Sequence, residues 1–301
     1  MIRVLVTGAG GQVGAATARM LAGLADVTAH DRASLDLSDA SQVAARIREA
    51  RPDVIVNAAA YTAVDRAESE PDRARAVNAV APGIIAAEAK SLGALLVHFS
   101  TDYVFDGAKR EPYVEEDATA PLGVYGRTKL EGERAVAQSG CAYVILRTAW
   151  VYGPTGKNFM FTMLRLAEKG GPLRVVSDQR GAPTTSTQLA RAVAQILGGA
   201  SIDAGSIDRA MASTGLYHAT AAGETTWHGF ATAIFEERAR RSQGAFMAPQ
   251  VDAITTAEYP TPAKRPAYSV LSCAKLERTF GVRLGAWREG LAEAISVLAA
   301  R

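Results

Sequence analysis

Five short apolar runs, separated by four helix-length amphipathic stretches, constrain the fold of this chain more than any other feature. The runs are Ile2–Thr7, Asp26–Ala29, Val54–Asn57, Leu95–Ser100 and Tyr143–Arg147, and residues 12–24, 39–50, 72–92 and 122–139 between them carry helical spacing. Successive parallel strands need a crossover, and a helix packed back onto the sheet supplies it with one hand. The predicted fold is therefore α/β, a doubly wound parallel sheet with helices on both faces. Val54-Ile-Val56 and Leu95-Leu-Val97 are apolar at every position, as strands covered on both sides must be.

Beyond residue 150 the rhythm loosens. Helices are predicted over 157–169, 185–198, 226–241, 273–280 and 286–300, with brief strands at Arg174–Val176 and Tyr217–Ala219. Gly199–Ser206 reads as a surface loop, and the prolines of 258–266 exclude helix or central strand there. The expected division is a Rossmann-like dinucleotide-binding domain over 1–150 and a smaller mixed α/β substrate-binding lobe over 151–301, some segments of which return to the first domain. The 33 basic and 31 acidic residues leave a net charge of +2 with no block of either sign, which points to neither nucleic acid nor a membrane surface as partner. Met1 runs directly into a strand rather than a leader, and no apolar run has the roughly 18–20 residues that span a bilayer, so a cytoplasmic location is expected. The two cysteines, Cys141 and Cys273, show no pairing or metal-ligand spacing, and no metal site is expected.

The chain opens VLVTGAGGQVG. A G-x-G-x-x-G frame from Gly8 fails at Val13, but G-x-x-G-x-x-G fits at Gly8, Gly11 and Gly14. Placed between a strand and a helix, such a turn lets backbone N–H groups and the positive helix end meet a pyrophosphate, so Gly8, Gly11, Gln12, Val13 and Gly14 are candidate cofactor contacts. Asp31 at the end of the second strand suits the adenosine ribose hydroxyls of NADH, whereas the adjacent Arg32 suits the 2′-phosphate of NADPH; the preference stays open. Asp36 and Leu37 are candidates to flank the adenine, and Ala60, Tyr61 and Thr62 to line the rest of the groove.

Tyr125 and Lys129 are one helical turn apart, which puts hydroxyl and ammonium on one face. A neighbouring ammonium favours a phenolate and makes tyrosine a usable acid–base group near neutrality. Thr101, at the end of the strand reading HFSTD, can hold a substrate carbonyl in line. With the glycine turn, these residues predict a nicotinamide-dependent reductase.

These stretches resemble the extended short-chain dehydrogenase/reductase superfamily, and within it the dTDP-4-dehydrorhamnose reductases. The likeness is carried by GQVG at 11–14, RPDVIVNAAAYTAVDRAESEP at 51–71, STDYVFDG at 100–107, PLGVYGRTKLEGE at 121–133, RTAWVYG at 147–153, SDQRGAPT at 177–184, TTWHGFA at 225–231 and YPTPAKRP at 259–266. It implies Tyr125 as proton donor, Lys129 as its partner and ribose ligand, Thr101 as the third catalytic member, and Asp102 and Trp150 at the deoxysugar. The reaction it implies is hydride transfer from NADPH or NADH to C4 of dTDP-4-dehydro-β-L-rhamnose, giving dTDP-L-rhamnose for surface polysaccharide. Arg180, Lys264 and Arg265, all in loops, are candidates for the diphosphate of such a dTDP-sugar, Arg265 first because prolines stiffen its loop. Some members of the resembled family are magnesium-bridged dimers, but Ala16 and Thr187 stand where the bridging carboxylates belong, so no metal is expected and the chain is a monomer or a homodimer. Two other functions share parts of this pattern. A dehydratase or epimerase would carry glutamate where Tyr103 stands, and a regulatory subunit like that of methionine adenosyltransferase would lack Thr101, Asp102 and Trp150.

Overall fold

The computed structural model describes residues 1–242 and 244–299. Its centre is a six-stranded, wholly parallel sheet built from β1 (Arg3–Thr7), β2 (Asp26–His30), β3 (Val54–Asn57), β4 (Leu95–Thr101), β5 (Tyr143–Thr148) and an edge strand, Gly215–His218. The order across the sheet is β2–β1–β3–β4–β5–edge strand. The chain therefore leaves β1 toward one side and returns on the other at β3, which opens a crevice at the carboxyl ends of β1 and β3.

Strand periodicity sorts the core into two layers. Val4, Val6, Val54, Val56, Leu95, Val97, Val144 and Leu146 face one side, where they pack with Leu21 of α1 (Gln12–Leu21) and Leu189 and Val193 of the helix Ser186–Ile196. The residues between them, Leu5, Ile55, Leu96 and Ile145, face the other side, against Val43 and Ile47 of α2 (Ala40–Ala50) and Ile85 and Ala89 of the helix Ala81–Leu92. This two-sided burial is why the strands are apolar throughout.

The first layer is completed by residues far along the chain. The helix Ser186–Ile196 covers α1, and Gly215–His218 pairs with β5 in parallel register. Residues 199–203 form the surface loop that composition suggested, but the last three residues of the 199–206 stretch do not. A helix runs over Ala204–Ala212, started by a capping box in which Asp203 accepts from the Ser206 N–H and Ser206 answers at the Asp203 N–H. Its Ile207 and Ala210 are buried in the first core layer. The end of this Gly/Ser/Asp-rich stretch is a helix start.

A second core lies in the remaining lobe, where Tyr152, Met160, Phe230, Ile234, Trp287, Leu291 and Ile295 pack together. Val251–Ile254 pairs with Leu173–Val176, and Val151–Tyr152 with Thr184–Thr185, in short two-stranded sheets. Among the described residues no helix is long and apolar enough to cross a membrane.

Candidate active site

The glycine turn fits a pyrophosphate because two of its positions tolerate no side chain. Gly8 has φ of +72°, and a Cβ there would lie 2.7 Å from Ala59 Cα; one on Gly14 would lie 2.2 Å from the Gly8 carbonyl oxygen. Gly11 caps α1 without a side chain, so the first N–H groups of the helix, from Gln12 onward, stay free at its positive end. The Gln12 side chain accepts a bond of 2.9 Å from Asn158 Nδ2, tying the turn to the second lobe, while Val13 packs on the first core layer.

The rest of the predicted coenzyme set divides by what each residue leaves available. Asp31 Oδ1 accepts bonds from Ala33 N, Ser34 N and Ser34 Oγ, which hold its carboxyl below the usual range and leave Oδ2 outside that turn. Arg32 is exposed and only loosely paired with Asp36, at 3.8 Å. Asp36 in turn accepts from the Ser38 N–H and hydroxyl. The Leu37 side chain is buried in the second core layer, so what it presents to a coenzyme is backbone. Ala60, Tyr61 and Thr62 leave β3 on the crevice side, and Asn78 fixes them: its Oδ1 accepts from Tyr61 N at 2.8 Å and its Nδ2 donates to Tyr61 O at 3.1 Å. Asn78 lies on a π-helical turn, Ala76–Val80, and also donates to Thr128 Oγ1 at 3.2 Å. A buried asparagine inside an alanine-rich helix was the available signal for this residue, and helix propensity alone hides its role.

Thr101 and Asp102 close β4, and Tyr125 and Lys129 sit in the first two turns of the helix Val124–Gln138. The Thr101 hydroxyl donates to Asp102 Oδ1 at 3.0 Å and accepts from Tyr103 N at 3.2 Å. Burial pushes the Tyr125 phenol up to about 12; a hydrogen bond with Thr101 opposes this and the Asp102 carboxylate adds to it. Tyr125 is thus a protonated acid across the physiological range and is not drawn toward neutrality by Lys129 as their spacing suggested, because burial outweighs the ammonium. Lys129 is almost fully buried and donates to the Phe99 carbonyl at 2.6 Å rather than to the Tyr125 hydroxyl. Burial lowers its ammonium to about 8, against the pull of Glu133, one further turn along the same face. Glu133 is itself held by Arg147, at 2.9 and 2.7 Å, and by the Ser100 hydroxyl at 2.5 Å. Burial raises Asp102 to about 6 against the hydrogen-bonding influence of the Ser269 and Thr101 hydroxyls, and its buried Oδ2 has no partner at full hydrogen-bond geometry. Neighbouring strands reinforce this edge: Thr7 donates to Asn57, which bonds His98, across adjacent registers of β1, β3 and β4.

Trp150 has left-handed backbone, φ 47°, which is costly without a glycine and marks a position fixed by its surroundings. Its ring stacks on Trp227 at 3.6 Å between centroids, and Gly181 is pressed so close that a Cβ there would lie 2.5 Å from the indole. Trp227 is oriented by Gln179, at 3.1 Å from its Nε1. The sequence singled out Trp150 but not the second indole behind it, and gave no sign that the ring of Tyr103 meets that of Tyr125 edge-on at 5.5 Å. Of the three cations, Arg180 lies on a two-residue strand, Arg180–Gly181, rather than in a loop, and is paired with Glu224 at 2.7 Å; Arg265 is paired with Asp65 at 2.8 Å, and Lys264 is exposed.

The chain is similar to known proteins over nearly its whole length. The family model described as the RmlD substrate binding domain matches residues 2–300. A dTDP-4-dehydrorhamnose reductase of Burkholderia thailandensis is 47% identical over 290 residues, covering 95% of this chain and 96% of that protein. The chain belongs to the dTDP-4-dehydrorhamnose reductase family. Its fold agrees with family members of known structure. The one from Clostridium acetobutylicum superposes with a TM-score of 0.90 at 40% identity, covering 99% of this chain and 100% of that one. The one from Bacillus anthracis, solved in complex with NADP, gives 0.87 at 33% identity and covers 99% of both chains. Among the described residues, no group of three or more His, Cys, Asp or Glu side chains is placed to hold a metal ion.

Proposed function

We propose that this chain reduces the C4 keto group of dTDP-4-dehydro-β-L-rhamnose to dTDP-L-rhamnose, with NADPH or NADH as reductant. The observation that carries the reading is the placement of a protonated Tyr125 beside Thr101 and Asp102 at the end of β4, on the same sheet edge as a glycine turn that admits only bare backbone. The coenzyme, when bound over Gly8–Gly14, supplies a hydride and a nearby positive ring. Tyr125 gives its phenolic proton to the C4 oxygen as the carbon is reduced, and the Lys129 ammonium on the same helix face stabilises the phenolate left behind. Thr101 holds the carbonyl oxygen in line. Asp102 Oδ2 accepts from a sugar hydroxyl, and the Trp150 indole, backed by Trp227, offers a flat apolar wall to the deoxysugar ring. Arg180 and Arg265, on the lobe after residue 150, are the cations that would meet the diphosphate on exchanging their carboxylate partners for it.

The test feeds the purified protein dTDP-4-dehydro-6-deoxyhexose, the 3,5-epimerase activity that converts it, and either coenzyme. Loss of reduced-coenzyme absorbance with dTDP-L-rhamnose as the sole sugar product supports the reading. No oxidation with either coenzyme, or release of the C4 epimer, rejects it.

A further inference from the structure

The helix Val64–Ala67 and the residue that ends it, Glu68, carry two carboxylates that tie two separate segments, the proline-rich loop of 258–266 and the start of the helix Val124–Gln138. Asp65 and Glu68 are one turn apart and so share a helix face. Asp65 Oδ2 takes Arg265 Nη2 at 2.8 Å, while its Oδ1 takes Arg265 Nη1 at 3.1 Å and the Ala263 N–H at 3.2 Å. Arg265 Nη1 also donates to the Ala263 carbonyl at 3.0 Å and to Thr261 Oγ1, so its guanidinium is locked into the proline-rich loop. In these bonds Arg265 spends neither its Nε–H nor its second Nη2–H.

Glu68 acts on the other segment. The helix that carries Tyr125 has Gly123 at its N-cap and hence no capping side chain of its own. Glu68 Oε1 accepts from Val124 N at 2.8 Å, and a Cβ on Gly123 would lie 2.6 Å from that oxygen. The cap is thus supplied by a distant carboxylate at the positive end of the helix. The same turn is braced by Tyr103, whose carbonyl oxygen would lie 2.1 Å from a Cβ on Gly126.

We infer that Asp65 and Glu68 are a pair of positioning residues that set Arg265 and Tyr125 at a fixed separation across the substrate, Asp65 through the guanidinium and Glu68 through the helix cap. The inference rests on the proposed reduction of a dTDP-sugar, with Tyr125 at the keto end and Arg265 at the diphosphate end. One helical turn bridging both segments makes the spacing between proton donor and anion-binding cation independent of loop motion. Misplacing an acid by about 1 Å costs up to roughly 100-fold in rate.

The test uses the full chain and three variants, Glu68→Ala, Glu68→Gln and Asp65→Asn. Amide hydrogen exchange across 122–130, calorimetric binding of dTDP and steady-state kinetics are measured for each. Glu68→Ala is expected to speed exchange at Val124 and lower kcat, each by about tenfold or more, with dTDP affinity kept within about twofold. Glu68→Gln, whose amide oxygen accepts the same N–H, restores both to within about threefold. Asp65→Asn weakens dTDP by about 5–10-fold with kcat at saturation within about threefold. Unaltered kcat in Glu68→Ala, or equal losses for Ala and Gln, overturns the inference. So does unchanged or tighter dTDP binding in Asp65→Asn, the latter meaning that Asp65 holds Arg265 away from the anion. If the unmodified chain binds dTDP but turns over no 4-keto sugar, the reduction reading alone fails, and exchange and binding still decide the pair.

Discussion

The pH dependence of turnover is the sharpest consequence of this site, because two groups are displaced in opposite directions by the same burial. Asp102, raised to about 6, serves as a carboxylate acceptor, so activity falls as pH drops through that value. Lys129, lowered to about 8, serves as an ammonium, so activity falls as pH rises through it. Tyr125, at about 12, contributes neither limb. A bell with limbs at about 6 and about 8 leaves about 0.8 of the free enzyme in the active form at pH 7 and about 0.1 at pH 5 or 9. Initial rates at low dTDP-sugar between pH 4.5 and about 10 report kcat/KM and hence the free enzyme. Asp102→Asn should flatten the acid limb, and Lys129→Arg, which keeps its charge, the alkaline one. Stability supplies an independent check. The folded Lys129 binds its proton less tightly than an unfolded lysine, with a pKa near 10.5, so the unfolded chain holds more protons between about 8 and 10.5. This group therefore adds stability as pH rises through that window, by about 3 kcal/mol in all, while activity declines. Lys129→Met should remove that slope in urea unfolding. A kcat/KM plateau reaching pH 9.5, or an acid limb near 6 that survives in Asp102→Asn, would refute the assignment.

Three further outcomes follow from the same geometry. Tyr125→Phe removes the proton donor and nothing that holds the coenzyme turn, so kcat should fall by about 10²–10⁴ with coenzyme affinity retained in a fluorescence titration; near-normal turnover excludes Tyr125 as the acid. Asp31→Ala should weaken NADH more than NADPH, because Oδ2 is the oxygen left outside the 31–34 turn, and Arg32→Ala should do the reverse; equal losses for both coenzymes in either variant show that the residue points elsewhere. Glu133→Ala strands the Arg147 guanidinium in the core and should cost about 3–5 kcal/mol of unfolding free energy by urea titration; a loss under about 1 kcal/mol would mean that water or a new partner reaches Arg147.

The proposed catalytic set was read from the sequence on spacing that is largely local. A tyrosine and a lysine four apart must share a helix face, and glycines between a strand and a helix must form a turn, whatever the rest of the chain does. The strand pattern fixed the sheet for the same reason, since β1, β3, β4 and β5 alternate between two buried faces and leave no polar side to expose. Composition covered only part of one segment: residues 199–203 are the surface loop it suggested, yet Asp203 and Ser206 begin a helix whose apolar face is supplied only further on by Ile207 and Ala210. What tertiary structure decided is how separate segments meet. Nothing near Trp150 in the chain announces Trp227 behind it, nothing near Val124 announces that Glu68 caps it, and the strand Gly215–His218 shows no local sign that it belongs beside β5. The charge state of the site is likewise a property of the fold. A lysine one turn from a tyrosine is read from spacing, but its lowering to about 8 comes from the depth at which helix and strand bury it, with Phe99 and Glu133 as the groups it meets there. Sequence sets which groups lie on one face, whereas burial and long-range partners set what those groups can do.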